Sequence, residues 1–427
     1  MTNKILTSIL TSLNTPFPNL NHISITGHDP ILPSPFLIGE AGAAAMAAIG
    51  YLSSELWSKK QNISISVRDA ALAQKSHQYI RIIEGPVQEL WDPISGLYQT
   101  KDNRWIQFHC NFPHHKAGVL ELLGCEATKE AVIKAAKNFA AEYLETILSE
   151  QGMCAGMVRT SEEWAEHPQS KAVAELPLIE IVKIGDSAPY MPPSRIKVLD
   201  LTRVLAGPVC GKILAEHGAE VTLVNSPNLP NIPPLVMDTS RDKKSILLDL
   251  DLENERVELK DLIKQSDVFS QSYRPGGLAT KGFSPEDLVA INPNIIYVSF
   301  SAYSRSGPWA SRHGYDSLVQ SVSGIAREQG GDGNPTHLPA QSLDYLTGYF
   351  GCLGAMEALR RRSIDGGAYE VRVSLARTAE WFKSLGRVKG FEKCTIPTRE
   401  DILDLLTQSN SDWGRIEYMK SILKNCV

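Results

Sequence analysis

The chain has 427 residues, more than one hydrophobic core usually holds, which points to two domains or more. With 43 basic against 48 acidic residues, no overall field attracts nucleic acid or an anionic membrane, and an anionic ligand must be held by local cations. The seven cysteines are odd in number, scattered and free of any C-x-x-C pair, which suits reduced thiols and a cytoplasmic protein. Lys4 to Leu10 is too short and too hydroxylated for a secretory core, and no apolar run approaches the roughly 18 residues of a membrane span.

In chain order, residues 1–35 read as a loosely packed leader interrupted by Pro16, Pro18, Pro30, Pro33 and Pro35. Ile38 to Trp57 is an alanine-rich helix, followed by the alternating strand Ile63 to Val67. We take residues 1–84 as this leader and helix–strand unit packed on the main domain. Residues 85–190 form a smaller α+β domain, with strands Leu97 to Thr100 and Arg104 to His109 paired around Asp102-Asn103 and helices started by Thr128 and Ser161. Pro192-Pro193 marks a junction.

Residues 195–388 alternate strands with helices, the pattern of an α/β, Rossmann-like, mostly parallel sheet with helices on both faces. Its first strand runs into the turn Thr202 to Gly207. Pro208 can take the first helical position at no hydrogen-bond cost, and Gly218 stops the helix before the strand Ala219 to Asn225. Such a turn lies at the carboxyl ends of the strands, where open α/β sheets bind ligands. A small-residue helix, Tyr345 to Arg362, and the strand Tyr369 to Val373 repeat the plan seen near the start, and this internal repeat places Glu40 near Asp344. Residues 389–427 read as a C-terminal tail.

Asp344 stands where the second small-residue helix begins. A carboxylate there is favoured in its ionised form by the helix dipole and free N–H groups, and serves either as a cap or as a nucleophile. His109, Cys110, His114 and His115 are metal-ligand types, but their spacing fits no standard zinc pattern. No metal is expected, and that loop is read instead as a cleft lining. Gly39-Glu40-Ala41-Gly42 is not a dinucleotide fingerprint.

The motifs Val198 to Pro208, Tyr273-Arg274-Pro275-Gly276, Ser306-Gly307-Pro308, Gly314-Tyr315-Asp316 and Ser342-Leu343-Asp344 together resemble a family III CoA-transferase, of the CaiB/BaiF type. The resemblance is strong from Arg195 to about Arg387 and weaker from Trp91 to Leu178. The small domain precedes the sheet here, so the chain looks permuted or half-duplicated. The resemblance implies a CoA-transferase with Asp344 as nucleophile, acyl-CoA and a small carboxylic acid as substrates, and no permanently bound cofactor. It implies a homodimer, possibly interlocked. Val204, Leu205 and Ala206 match the turn along the CoA, and Leu248 and Tyr315 match further contacts. Arg274 and Lys281 are the candidate phosphate partners.

Two rival readings remain from the sequence. A 2-methylacyl-CoA racemase pairs its aspartate with a histidine in a Gly-His-Asp triplet, whereas here the triplet holds Tyr315 with His313 one residue early. A non-catalytic CoA-binding relative is suggested by the permuted order, Glu40 and Ser226.

Overall fold

The computed structural model describes residues 2–14, 20–57, 62–192, 195–274 and 276–422, so Pro16, Pro18, Pro193, Pro275 and Cys426 lie outside the described residues. The start of the chain is not loosely packed. Helix α1 (Thr2–Ser12) buries Ile5, Leu6, Ile9 and Leu10, whose three- and four-residue spacing puts them on one face. Strand β1 (Ile23–Thr26) pairs in parallel with β2 (Ile63–Ser66). Between them α2 (Ile38–Leu56) is buried along most of its length, because alanine and glycine let neighbouring elements approach on every side. Helix α3 (Val67–Ala73) follows, capped by the Ser66 hydroxyl.

Beyond β3 (Arg81–Ile82), the strands β4 (Gly96–Gln99), β5 (Trp105–Phe108) and β6 (Ala155–Met157) form an antiparallel sheet of their own. Helix α4 (Pro113–Leu123) packs there, and Ile106, Phe108, Val119, Leu144 and Leu148 share a separate core. This smaller unit ends earlier than its sequence suggests. Strand β7 (Glu180–Gly185), expected within it, instead joins the edge of the main sheet.

The main sheet contains β8 (Lys197–Leu201), β9 (Glu220–Asn225), β10 (Lys243–Leu247), β11 (Val268–Gln271), β12 (Ile296–Ser301) and β13 (Ala368–Ser374), in the spatial order β10-β9-β8-β11-β12-β13-β7. All neighbours are parallel except β13 and β7. Helices α5 (Ala206–Glu216), α6 (Glu253–Lys264), α7 (Asp316–Val322), α8 (Ser342–Asp365) and α9 (Leu375–Ser384) complete this part, with one hydrophobic core on each face of the sheet. The order reverses between β8 and β11, which opens a crevice outside their carboxyl ends. Helix α5 begins two residues before Pro208 and ends at Glu216, two residues short of Gly218, whose φ of 93° is the left-handed conformation glycine adopts cheaply.

The first repeat is fastened to the second through α2 lying on α8 within the larger core. The expected C-terminal tail is also ordered in part: β14 (Leu406–Ser411) and β15 (Gly414–Met419) form a hairpin that pairs with β3.

Candidate active site

The β8–α5 turn is strained where it meets the crevice. Val204 has φ of 70°, a conformation that a β-branched side chain adopts only when its surroundings enforce it. Part of that enforcement is local: the Ser272 hydroxyl, just past β11, accepts the Arg203 N–H at 3.0 Å. A second close approach brings α8 onto α5, since a Cβ on Gly348 would lie 2.5 Å from the Ala206 carbonyl oxygen. The first turn of α8, carrying Asp344, is therefore held directly above Val204, Leu205 and Ala206.

These elements enclose a cavity of about 340 Å³, lined by Arg203 to Gly207, Arg274, His313, Tyr315 and Asp344, with Phe112, His114 and His115 closing it from the small domain. A second cavity of about 40 Å³ lies on another side of Asp344 and shares Val204, Leu205 and Tyr315 with the first. Val204, Leu205, Ala206, Arg274, Tyr315 and Asp344 are thus brought together. Leu248 and Lys281 are not. Leu248 is buried in the core on the far face of the sheet, and Lys281 is engaged by Asp251 away from the cavity. Arg274 is exposed at the rim and makes no ion pair among the described residues.

Asp344 occupies the third helical position of α8 and does not cap it. That role belongs to Asp316, whose Oδ2 accepts the Asp344 N–H at 2.9 Å. Gln320 donates its side-chain amide to Asp316 and accepts the Leu338 N–H at 2.7 Å, which fixes the Asp316 carboxyl from behind. Burial pushes both acids up, Asp316 to about 6 and Asp344 well above the usual carboxylate range, and the neighbouring Asp316 charge adds to the Asp344 shift. The sequence argument that the helix terminus favours ionised Asp344 is therefore overturned: desolvation and a like charge outweigh the dipole. Asp316 was legible only as part of a triplet. Its signal is that Gly27-His28-Asp29 repeats Gly314-Tyr315-Asp316 ahead of the other small-residue helix.

The smaller unit completes the site by aromatic packing. The His109 ring stacks on Tyr315 with centroids 4.0 Å apart, and Trp91 meets His109 edge-on at 5.6 Å. Gln107 on β5 donates to the Ser317 hydroxyl at 2.6 Å and accepts from Ser321 at 2.7 Å, which ties the hairpin to α7. His115, Cys154 and His313 each place one possible ligand atom within 4.8 Å of the others. The positive charges of Arg274 and Arg312 bear on this group and oppose a cation there.

Residues 194–398 match the family model described as CoA-transferase family III. Acetyl-coenzyme A transferase nodX of Hypoxylon pulicicidum is 29% identical over 327 residues, covering 69% of this chain and 55% of that protein. An acyl-CoA transferase of Gibberella moniliformis is 27% identical over 416 residues, covering 83% of this chain and 72% of that one. Among solved structures, a CaiB/BaiF family protein from Brucella suis is 29% identical, with a TM-score of 0.41 over 45% of this chain and 55% of its own. The match thus spans little more than half of the first of these relatives. No helix among the described residues is long and apolar enough to cross a membrane.

Proposed function

Residues 194–398 match the model of CoA-transferase family III, and from that likeness we propose that the protein moves coenzyme A from an acyl-CoA thioester to a free carboxylic acid on Asp344. The observation that carries the reading is the buried Asp344 carboxyl bordering both the large cavity and the small one. A poorly solvated carboxylate beside a second acid is high in energy and correspondingly nucleophilic once its proton has left.

In this reading a carboxylate oxygen of Asp344 attacks the thioester carbonyl, the carbon–sulfur bond breaks, and CoA leaves as its thiolate from a mixed anhydride. The thiolate then attacks the Asp344 carbonyl of that anhydride, forming an aspartyl-CoA thioester and releasing the donor acid. The acceptor carboxylate attacks this thioester, its carbon–sulfur bond breaks to give a second mixed anhydride and free CoA thiolate, and the thiolate attacks the acceptor's carbonyl of that anhydride, forming the new acyl-CoA and releasing Asp344 as its carboxylate. Each step exchanges one acyl bond for another, so no oxidant or nucleotide is consumed.

The large cavity suits the CoA side. Its walls at Val204, Leu205 and Ala206 are apolar, the first-turn N–H groups of α5 lack intrahelical acceptors, and Arg274 is free to meet phosphate. We read acyl-CoA as substrate and not as a resident cofactor.

The racemase reading lacks its histidine, because Tyr315 holds that position and stacks against His109. Incubating the protein with acyl-CoA donors and labelled carboxylic acids, read by mass, tests the assignment. New acyl-CoA carrying the label is expected. Washing of deuterium from heavy water into the α-position of a 2-methylacyl-CoA, without CoA exchange, would replace it with the racemase.

A further inference from the structure

The small cavity behind Asp344 has a chemistry of its own. It is bounded by His77 from the first repeat, Trp91, His109 and Asn111 from the smaller unit, and Tyr315 and Gln341 from the second repeat. At about 40 Å³ it has room for roughly three water-sized volumes, which corresponds to a two- or three-carbon acyl group. Neither lysine nor arginine lines it, while both Asp316 and Asp344 do.

Resting on the CoA-transfer reading, we propose that this cavity is the acyl subsite and that it selects short, uncharged acyl groups, acetyl and propionyl, against dicarboxylates. A second carboxylate on the substrate would be desolvated with no cation to pair it and with Asp316 repelling it. The imidazoles do not relieve this: burial pushes His77 down to about 4 and His109 to about 3, leaving both neutral near pH 7. His77 is also committed, its Nδ1 lying 3.0 Å from the Tyr345 hydroxyl. The length limit comes from the indole of Trp91, which is 38% exposed and packs on His109 in a T-shaped arrangement.

The test is a comparison of acetate, propionate, hexanoate, malonate and succinate as acceptors with one common CoA donor, for the native protein and for Trp91→Ala. The native protein is expected to use acetate and propionate at least a hundredfold better, by kcat/KM, than malonate or succinate. Trp91→Ala should raise the hexanoate-to-acetate ratio of kcat/KM at least tenfold, because removing the indole opens the chamber outward. A native preference for a dicarboxylate, or an unchanged hexanoate-to-acetate ratio in Trp91→Ala, overturns the subsite. Absence of exchange with every acid overturns this subsite and the CoA-transfer reading together.

Discussion

The two repeats build the same helix terminus and put it to different uses. In the first, the Asp29 carboxylate accepts the N–H groups of Gly39 and Glu40 at 3.1 and 2.8 Å, and Glu40 holds the third position of α2. In the second, Asp316 accepts the Asp344 N–H, and Asp344 holds the third position of α8. Burial raises both clamping acids to about 6. The difference lies in what covers the terminus. Thr2 on α1 donates its hydroxyl to Glu40 at 3.0 Å, whereas Asp344 opens on two cavities walled by the β8–α5 turn and the small-domain hairpin. On the proposed function, such a helix start is scaffold where another helix covers it and a reaction centre where a strained strand-to-helix turn faces it.

The sharpest way to break that contrast is Asp344→Asn. Asp316 and not Asp344 supplies the cap, and asparagine replaces a carboxyl whose charged form burial disfavours, so the fold should keep its stability within about 1 kcal/mol. CoA exchange should fall by at least about a thousandfold, the scale expected when a covalent nucleophile is removed. Hydroxylamine added during turnover of the native protein should convert acylated Asp344 to a hydroxamate found by peptide mass. Exchange at the native rate in the variant would remove the covalent mechanism.

Asp316→Asn sharpens the comparison through pH. Asp344 must lose its proton before it attacks, and its affinity for that proton is raised, so activity should climb with pH above the ordinary carboxylate range. Removing the Asp316 charge lifts the like-charge contribution, and the climb should move to lower pH. Stability carries the opposite sign of dependence. The native state binds the Asp316 proton up to about pH 6, while an unfolded aspartate releases it near about 3.9, so the stability Asp316 contributes falls as pH rises through that window and is level above it. The fall attributable to Asp316, on the order of 3 kcal/mol, should disappear in the variant, and the similar contribution of Asp29 should remain. Urea titrations at pH 4 to 8 measure it.

The parallel sheet was legible because most of its strands are short apolar runs separated by helices with their own start and stop signals, as Gly218 and the Ser284 cap show. Asp344 and the β8–α5 turn were legible from motif order. The electrostatics of Asp344 were not, since its burial comes from α5, α7 and the smaller unit, which lie far away in sequence. Leu248 and Lys281 show the converse. Each stands near the right strand in the chain, yet Leu248 turns into the opposite core and Lys281 is held by Asp251. The small-domain boundary failed at β7 because an antiparallel edge strand carries no local mark of the sheet it will join.

The smallest expected effect belongs to Glu40→Gln, and it asks whether the first repeat is scaffold alone. Glu40 borders neither cavity, and its side chain meets the Thr2 hydroxyl on α1. Glutamine keeps a carbonyl oxygen to accept that hydroxyl, and the backbone N–H of residue 40 still reaches Asp29, so stability should move by no more than about 1 kcal/mol. CoA exchange should stay within a few-fold of native. The first triplet does contain the histidine that a racemase would use, but His28 is exposed and borders neither cavity. If Glu40→Gln instead abolished exchange while leaving the urea midpoint unchanged, the α2 terminus would be a second reaction centre. The distinction between a covered and an open helix start would then no longer explain where the chemistry sits.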